Sequence, residues 1–375
     1  MSWIGRYNVW TVKLGVLLAG TVGLASAVPQ AAGQITYTPT KHSVYQAVNS
    51  DGTAAWPSGG QQPYPIQMIG VVINNPWDML YYNLSTPPQL PNPPHPPAPQ
   101  GYVPQWQVFF QAVDPYQFPG LIPDPQLYAN DFGGTAMYMR KVHPMNPNIY
   151  YTDAQWLAEM QRLNYPNYQG SPVTEPLRRG DLVLVQANAP GLFFRGKYNI
   201  NEQHSTDPAK DFYITILQRN VPLSAAQITL ADLKNPDDSF KFDQTRQTGC
   251  ERYQGSLVHL DGLLLVDPQN WALDGTVTVK QTVGQNELTF PLKLGIDPAL
   301  AAINAALLAT TPFSLTAILD QEDSGSPYTD NYRLWLTSAS DLGAAFAMVP
   351  EPASLALLAV GILLVGIYRW AWPRR

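Results

Sequence analysis

With a single cysteine, Cys250, in 375 residues, the chain can form no internal disulfide, so packing alone must hold whatever fold it adopts. Charge is scarce too. Asp, Glu, Lys and Arg make up 13% of the chain, while proline, tyrosine and tryptophan are plentiful, a profile of turn-rich β structure and not of a helical bundle. Signatures of chemistry are missing as well. The five histidines, His42, His95, His143, His204 and His259, fall singly, without the H-x-x-x-H or H-E-x-x-H spacing that puts two metal ligands on one helix face. There is no G-x-S-x-G elbow, no phosphate-cradling G-x-x-x-x-G-K-[ST] loop and no dinucleotide fingerprint. Cys250 has no partner base beside it. The body is therefore read as non-catalytic, with no cofactor. A basic excess is also lacking. The net charge is −6, and five of the basic residues (Arg6, Lys13, Arg369, Arg374, Arg375) sit at the two ends, which leaves the body near −11 with Glu351 counted in it. Sequence-independent affinity for nucleic acid comes from Lys and Arg neutralising phosphates, so the charge argues against that partner.

What is present begins at the two ends. Residues 1–27 have a basic start at Arg6 and Lys13, an apolar run from Leu14, and Ala25-Ser26-Ala27 as an A-x-A cleavage site. These are the parts of a secretory signal peptide, removed by signal peptidase between Ala27 and Val28. At the other end, residues 344–375 hold Pro350-Glu351-Pro352, an apolar run beginning at Ala353, and a terminus carrying Arg369, Arg374 and Arg375. The prolines keep the triplet extended and outside the helix that follows. A helix over about residues 353–370 can just cross a hydrocarbon core, with its arginines on the cytoplasmic side.

Those three features in order resemble the PEP-CTERM sorting tail of exported bacterial proteins. Pro350, Glu351 and Pro352 match the recognition triplet position for position. The resemblance implies a precursor anchored in the inner membrane, processing by an exosortase-type protease, and a mature form at the cell surface or outside the cell. It also implies a Gram-negative host that makes exopolysaccharide, a polymer such a protein would meet. It speaks of destination, not of what the body does there.

Between the ends, residues 28–65 read as an irregular leading segment and 87–104, half of them proline, as an extended insertion. Apolar alternation gives strands at Ile66–Ile73, Trp106–Val113 and Gly134–Arg140. A capping box at Thr152 and Gln155 opens a helix, after which Leu182–Val185, continued through Gly191–Phe194 and Lys197–Glu202, gives the fourth strand and Asp211–Leu217 the fifth. From 221 to 343 the order recurs: strands from Ser256, Gly275 and Leu288, a helix from Ala299 to Ala309 behind Asp297-Pro298, then strands from Phe313 and Tyr332. Five strands with a helix between the third and fourth is the wiring of an OB-fold. The expectation is a mainly β protein of two tandem OB-like five-stranded barrels, over 66–220 and 221–343, with one larger β-sandwich as the alternative. The run Glu251 to Val258 resembles the opening strand of OB-like repeats in bacterial extracellular proteins.

Two candidate sites follow. Asp320, Glu322 and Asp323, with Asp330 beyond, set hard oxygen ligands in the last loop of the second barrel, where Ca²⁺ is the metal they suit; they lack the D-x-[DN]-x-[DN]-G spacing, and a solvated turn is the competing reading. Period-two alternation puts Gln107, Phe109 and Gln111 on one face of one strand and Ala136, Tyr138 and Arg140 on one face of the next. If that face looks outward, Phe109, Tyr138 and Arg140 form a ligand surface on the strands OB-folds use; if inward, it is core. The leading reading is an exported, non-catalytic surface or matrix protein. The alternative is an OB-fold binding module for oligosaccharide or single-stranded nucleic acid.

Overall fold

Apolar side chains at alternate positions become the strands of two sheets. The structure is a computed structural model and describes residues 35–55, 64–79, 105–142, 146, 148–189, 191–201 and 210–343. The expected signal peptide with Ala25 and Ala27, the insertion 87–104, and the sorting tail with Pro350, Glu351, Pro352, Arg369, Arg374 and Arg375 lie outside the described residues. Among those described, no helix is long and apolar enough to cross a membrane.

The first sheet contains β1 (Thr38–Pro39), β2 (Ile66–Val72), β3 (Gln105–Gln111), β4 (Gly134–Arg140), β5 (Asn167–Tyr168), β6 (Leu182–Ala187), β7 (Leu192–Phe194), β8 (Lys197–Asn201) and β9 (Phe212–Gln218). Their order is β5-β9-β6-β2-β3-β4-β8-β7, with β1 added on β2. Two helices accompany it, α1 (His42–Tyr45) and α2 (Asp153–Asn164). The capping box at the start of α2 is formed: Gln155 N–H donates to Thr152 Oγ1 at 3.3 Å and Thr152 N–H to Gln155 Oε1 at 2.9 Å. Trp156, Met160 and Leu163 of this helix enter the core made by Met68, Trp106, Phe110, Met137, Val183 and Ile214. The stretch expected to be an irregular leader is partly built in: β1 pairs with β2, and Tyr45 is fully buried in that core.

The second sheet contains β10 (Ala226–Gln227), β11 (Leu257–Leu265), β12 (Thr276–Val283), β13 (Asn286–Leu294), β14 (Phe313–Gln321) and β15 (Tyr332–Leu336). Strands β11, β12 and β13 form a meander, β15 lies parallel to β13 and antiparallel to β14, and β14 returns to β11. That closes a five-stranded barrel in the order 1-2-3-5-4-1, the OB-type topology. Closure depends on a bulge in β11 between Leu260 and Leu263, where Gly262 has φ +69°. The bend lets one strand pair with β14 on its first half and β12 on its last.

Three expectations change. The first sheet is not a closed five-stranded barrel: β8 pairs parallel with β4 and β9 antiparallel with β6, and among the described residues no ladder joins β8 to β9. Residues 249–253 are helical (α4, Gly249–Tyr253), after a short α3 (Leu230–Leu233), so the opening strand of the barrel starts at Leu257 and not at Glu251. The helical turn buries the Glu251 carboxyl beside Tyr332, whose hydroxyl donates to Glu251 Oε1 at 2.6 Å. The single helix expected over 299–309 is a 3₁₀ turn at Pro298–Ala302 and a separate α5 (Ala305–Leu308), because Ile303 turns extended (ψ 132°) and is buried, along with Leu300 and Leu308.

A third core joins the sheets. The outer face of the first sheet, through Ile69, Val71, Phe109, Ala136 and Leu182, packs on Leu257, Ile318 and Trp335 of the barrel. Backbones meet at Gly134 and Gly255: Gly134 N–H donates to the Gln254 carbonyl at 2.9 Å, and a Cβ on Gly134 would stand 1.9 Å from the Gly255 carbonyl oxygen.

Candidate functional site

Strands β3 and β4 run in a register that places Gln105 opposite Arg140, Gln107 opposite Tyr138 and Phe109 opposite Ala136. All six side chains therefore share one face of the first sheet. The barrel covers only one end of it. Phe109 and Ala136 are sealed into the joint between the sheets, with Phe109 1% exposed, so Phe109 is not an available stacking surface. Alternation said which side chains share the face, but not that a second sheet lies on it. Tyr138 and Arg140 lie beyond the covered end, in a cleft of about 270 Å³.

The opposite wall comes from far along the chain. Strands β7 and β8 form a hairpin whose two turn residues, Arg195 and Gly196, have φ of 55° and 87°, the backbone that a tight two-residue hairpin demands. Its tip docks on the barrel: the Gly196 carbonyl accepts from Gln254 Nε2 at 3.1 Å and the Arg195 carbonyl from Asp323 N–H at 3.2 Å. Docking carries Lys197 into a buried ion-pair cluster. Its ammonium lies 2.6 Å from Asp320 Oδ1 and 3.3 Å from Glu322 Oε2. Arg333 on β15 donates to Asp320 and Glu322 at 2.8 and 2.9 Å, and Arg195 reaches Glu322 as well. Burial works to raise the Glu322 carboxyl, but the charges of Lys197, Arg333 and Arg195 together hold it well below the usual carboxylate range.

This cluster answers the calcium expectation. Asp320 and Glu322 are committed to cations, whereas Asp323 Oδ1 accepts from Gly325 N–H and Asn331 Nδ2 at 3.2 and 3.3 Å. Burial, with Asp323 beside it, raises the Asp330 carboxyl. The four do not converge, and among the described residues no group of three or more His, Cys, Asp or Glu is placed to hold a metal ion. Three cationic side chains, Lys197, Arg333 and Arg195, already take up the Asp320 and Glu322 oxygens that a metal ion would need. Cys250 is also structural: it is buried, its thiol donates to the Leu233 carbonyl at 3.2 Å, and burial pushes its pKa well up.

Around the cleft, Arg140, Arg195, Lys197, Lys293 and Arg333 set five positive charges against the carboxylates of Asp274, Asp320 and Glu322. An acidic chain has thus gathered a local positive excess. Its polar groups are not all satisfied. Arg140 makes no hydrogen bond or ion pair with the described residues, and its buried Nε lacks a partner. The same holds for Asn199 Oδ1, on a side chain 4% exposed, and for the indole N–H of Trp335, 2% exposed, under the Arg333 guanidinium at 4.5 Å. Tyr138 and Phe194 flank the cleft with ring surface, Tyr138 held by a 2.8 Å hydrogen bond from its hydroxyl to Gln105 Oε1.

Sequence reasoning reached Tyr138 and Arg140 and missed Arg195, Lys197, Asn199, Arg333 and Trp335. The local signal was there: Arg195-Gly196 between Phe193-Phe194 and Lys197-Tyr198 is a two-residue hairpin turn. What it contacts is 123 residues further on, at Asp320, and no local pattern reports that.

No protein-family model and no curated protein matches the chain. Among solved structures the chain is similar to the single-stranded DNA binding protein from Thermus aquaticus, at 11% identity over 74% of this chain and 90% of that one, with a TM-score of 0.15. A score that low leaves the barrel's own strand pairings as the ground for its topology.

Proposed function

We propose that this protein is an exported binding module that captures a small anionic ligand in the cleft between its two sheets and performs no chemistry on it. The cleft carries this reading: five cationic side chains set against three carboxylates surround a concavity on the face of β3 and β4, the strands OB-folds use for ligands. The ends supply destination. A signal peptide cut after Ala27 and a PEP-CTERM-type tail at Pro350-Glu351-Pro352 send the chain through the membrane and hold it there until an exosortase-type protease releases it at the cell surface.

Titrating the full-length chain with small carboxylates and phosphates, while following tryptophan fluorescence, tests the binding half. Saturable binding that Arg140→Ala weakens is the expected result, and flat titrations with every anion count against it. Mass spectrometry of the mature protein tests the routing half. A new N-terminus at Val28 and a new C-terminus beside Pro350 to Pro352 are expected; an intact chain in the cytosol would end that half.

A further inference from the structure

We infer that the end of the barrel carrying α5 is the face that this protein rests on a lipid bilayer. The inference depends on the apolar run from Ala353 crossing the membrane, the routing half of the proposed function, and goes further by saying which way the body is turned. The point where the chain leaves the barrel comes first. Gly343 N–H donates to the Ser314 carbonyl at 3.0 Å and Leu342 bridges to Leu315, so the chain departs beside the first residues of β14. Only residues 344–352 separate that point from the apolar run, and so short a stretch reaches at most ~30 Å when fully extended. A run set in the membrane therefore keeps this end of the barrel close to the lipid.

That end is also built unlike the other. Leu263 pairs with Phe313 antiparallel, so the last residues of β11 lie beside the first of β14, and α5, just before β14, packs against β11 and against the 3₁₀ turn at Pro268–Asn270. Leu307 on α5 is 41% exposed, and Val266, next after β11, is 48% exposed. Ala301, Ala302, Ala306 and Pro312 are exposed in the same loop as Leu307. From Pro298 to Leu319 the chain carries no charged side chain. The carboxylates bordering this end are engaged: Asp267 accepts from Thr278 N–H at 2.7 Å and Asp297 from Ala299 N–H at 3.0 Å, Asp274 pairs with Lys293, Asp341 pairs with Arg179, and Asp261 lies 3.3 Å from His259. The surface that results is apolar and not cationic, so it suits a zwitterionic bilayer, into whose interface a leucine and a valine can settle. Two aliphatic side chains hold weakly by themselves, and the tether supplies the rest by keeping their concentration at the lipid high. The opposite end of the barrel, with the β12–β13 hairpin tip and the β14–β15 loop, bears Lys280, Glu287, Glu322, Asp323 and Asp330, charges that stay with water.

The test is site-specific fluorescence of the full-length chain reconstituted in phosphatidylcholine vesicles that carry a nitroxide at headgroup level. Leu307→Cys, Val266→Cys and, at the opposite end, Gln285→Cys each take a thiol-reactive fluorophore; Cys250 is buried, and the unaltered chain gives the background. Labels at 307 and 266 are expected to be quenched severalfold more than the label at 285. Adding Leu307→Asp should release the quenching at 266 while the chain still floats with the vesicles, and thermal melts establish that each variant folds. Equal quenching at the two ends overturns the inference, as does quenching at 266 that survives Leu307→Asp. Self-quenching between labels at 307 without quenching by the lipid overturns it in favour of a second copy on the same face. Each of those results leaves the routing half standing. A chain that does not float with the vesicles at all defeats both.

Discussion

The two sheets share a plan and differ at one strand. In the barrel, β15 alone closes the structure by pairing with both β13 and β14. In the first sheet that double duty is divided: β8 takes the parallel place beside β4, β9 takes the antiparallel place beside β6, and the two run in the same direction without meeting in the described residues. Dividing the strand leaves the sheet open and frees its first half to be led in by a hairpin. That hairpin crosses to the barrel and carries Arg195, Lys197 and Asn199 to the cleft. Closure yields a self-contained core, whereas the divided strand yields the cleft to which we assign binding.

The comparison breaks first at the joint between the sheets. Gly134→Ala drives a Cβ into the Gly255 carbonyl oxygen at 1.9 Å, with backbone on both sides, so only parting of the sheets relieves it. A loss of about 4 kcal/mol is expected in urea unfolding. Gly262→Ala, in the barrel's own bulge, meets nothing within 4 Å and strains only the backbone at φ +69°, about 1 kcal/mol. Similar losses at the two sites would mean that the sheets do not support each other.

Ion pairs sharpen the contrast. Lys197 sits between Asp320 and Glu322, and the Asp320 side chain is fully buried. Lys197→Met strands those carboxylates, leaving them only Arg333 and Arg195, and should cost about 3 kcal/mol. On the barrel's own hairpin, Lys280 and Glu287 pair at 3.0 Å in solvent, and Lys280→Met should change stability by less than about 0.5 kcal/mol. Equal effects would show that the docked hairpin is a surface decoration.

How much of this was legible in the sequence follows from range. Strands such as β4 and β11 were readable because alternation is local and obligatory on a pleated sheet, and α2 because Thr152 and Gln155 are three residues apart. The face bearing Tyr138 and Arg140 was readable for the same reason. That Phe109 on that face is covered depended on Ile318 and Trp335, which no period connects to it. Nor could alternation show that β8 and β9 divide one strand's work, since each looks like an ordinary short strand. The calcium expectation counted carboxylates but not cations, and the Lys197 that neutralises them arrives from the other sheet.

Acid–base behaviour separates the sheets from the chemistry of the cleft. Burial, opposed by Arg246 and the Tyr332 hydroxyl, raises Glu251 to about 7; burial also raises Asp78, near the joint, to about 7. Both carboxyls are protonated in the folded chain where the unfolded chain has already ionised them. Their contribution is thus full below the ordinary carboxyl range and lost as pH climbs toward about 7. Between pH 5 and pH 8 each should remove about 3 kcal/mol of unfolding free energy. His42, which burial holds below the usual histidine range, works in the opposite sense over the lower part of that window. The measurement is therefore the difference between Glu251→Gln and the unaltered chain, which should grow with pH. Glu322, held low, ionises well below this window and leaves it untouched.

The smallest effect concerns the helices that stand in the same slot of each sheet. In the first, α2 runs over 12 residues and its start is fixed by the reciprocal bonds of Thr152 and Gln155. In the barrel, α5 is one turn of 4 residues, and Asn304 before it makes no side-chain cap. Thr152→Ala should therefore cost about 1 kcal/mol, and Asn304→Ala less than about 0.3 kcal/mol, by chemical denaturation. The long helix needs its cap because it must arrive aimed so that Trp156 and Met160 enter the core of a sheet that has no closing strand among the described residues. In the barrel, Leu300 and Leu308 are held by walls that already meet. A Thr152→Ala variant as stable as the unaltered chain would show that packing alone aims α2, and the open sheet would then be as self-sufficient as the closed one.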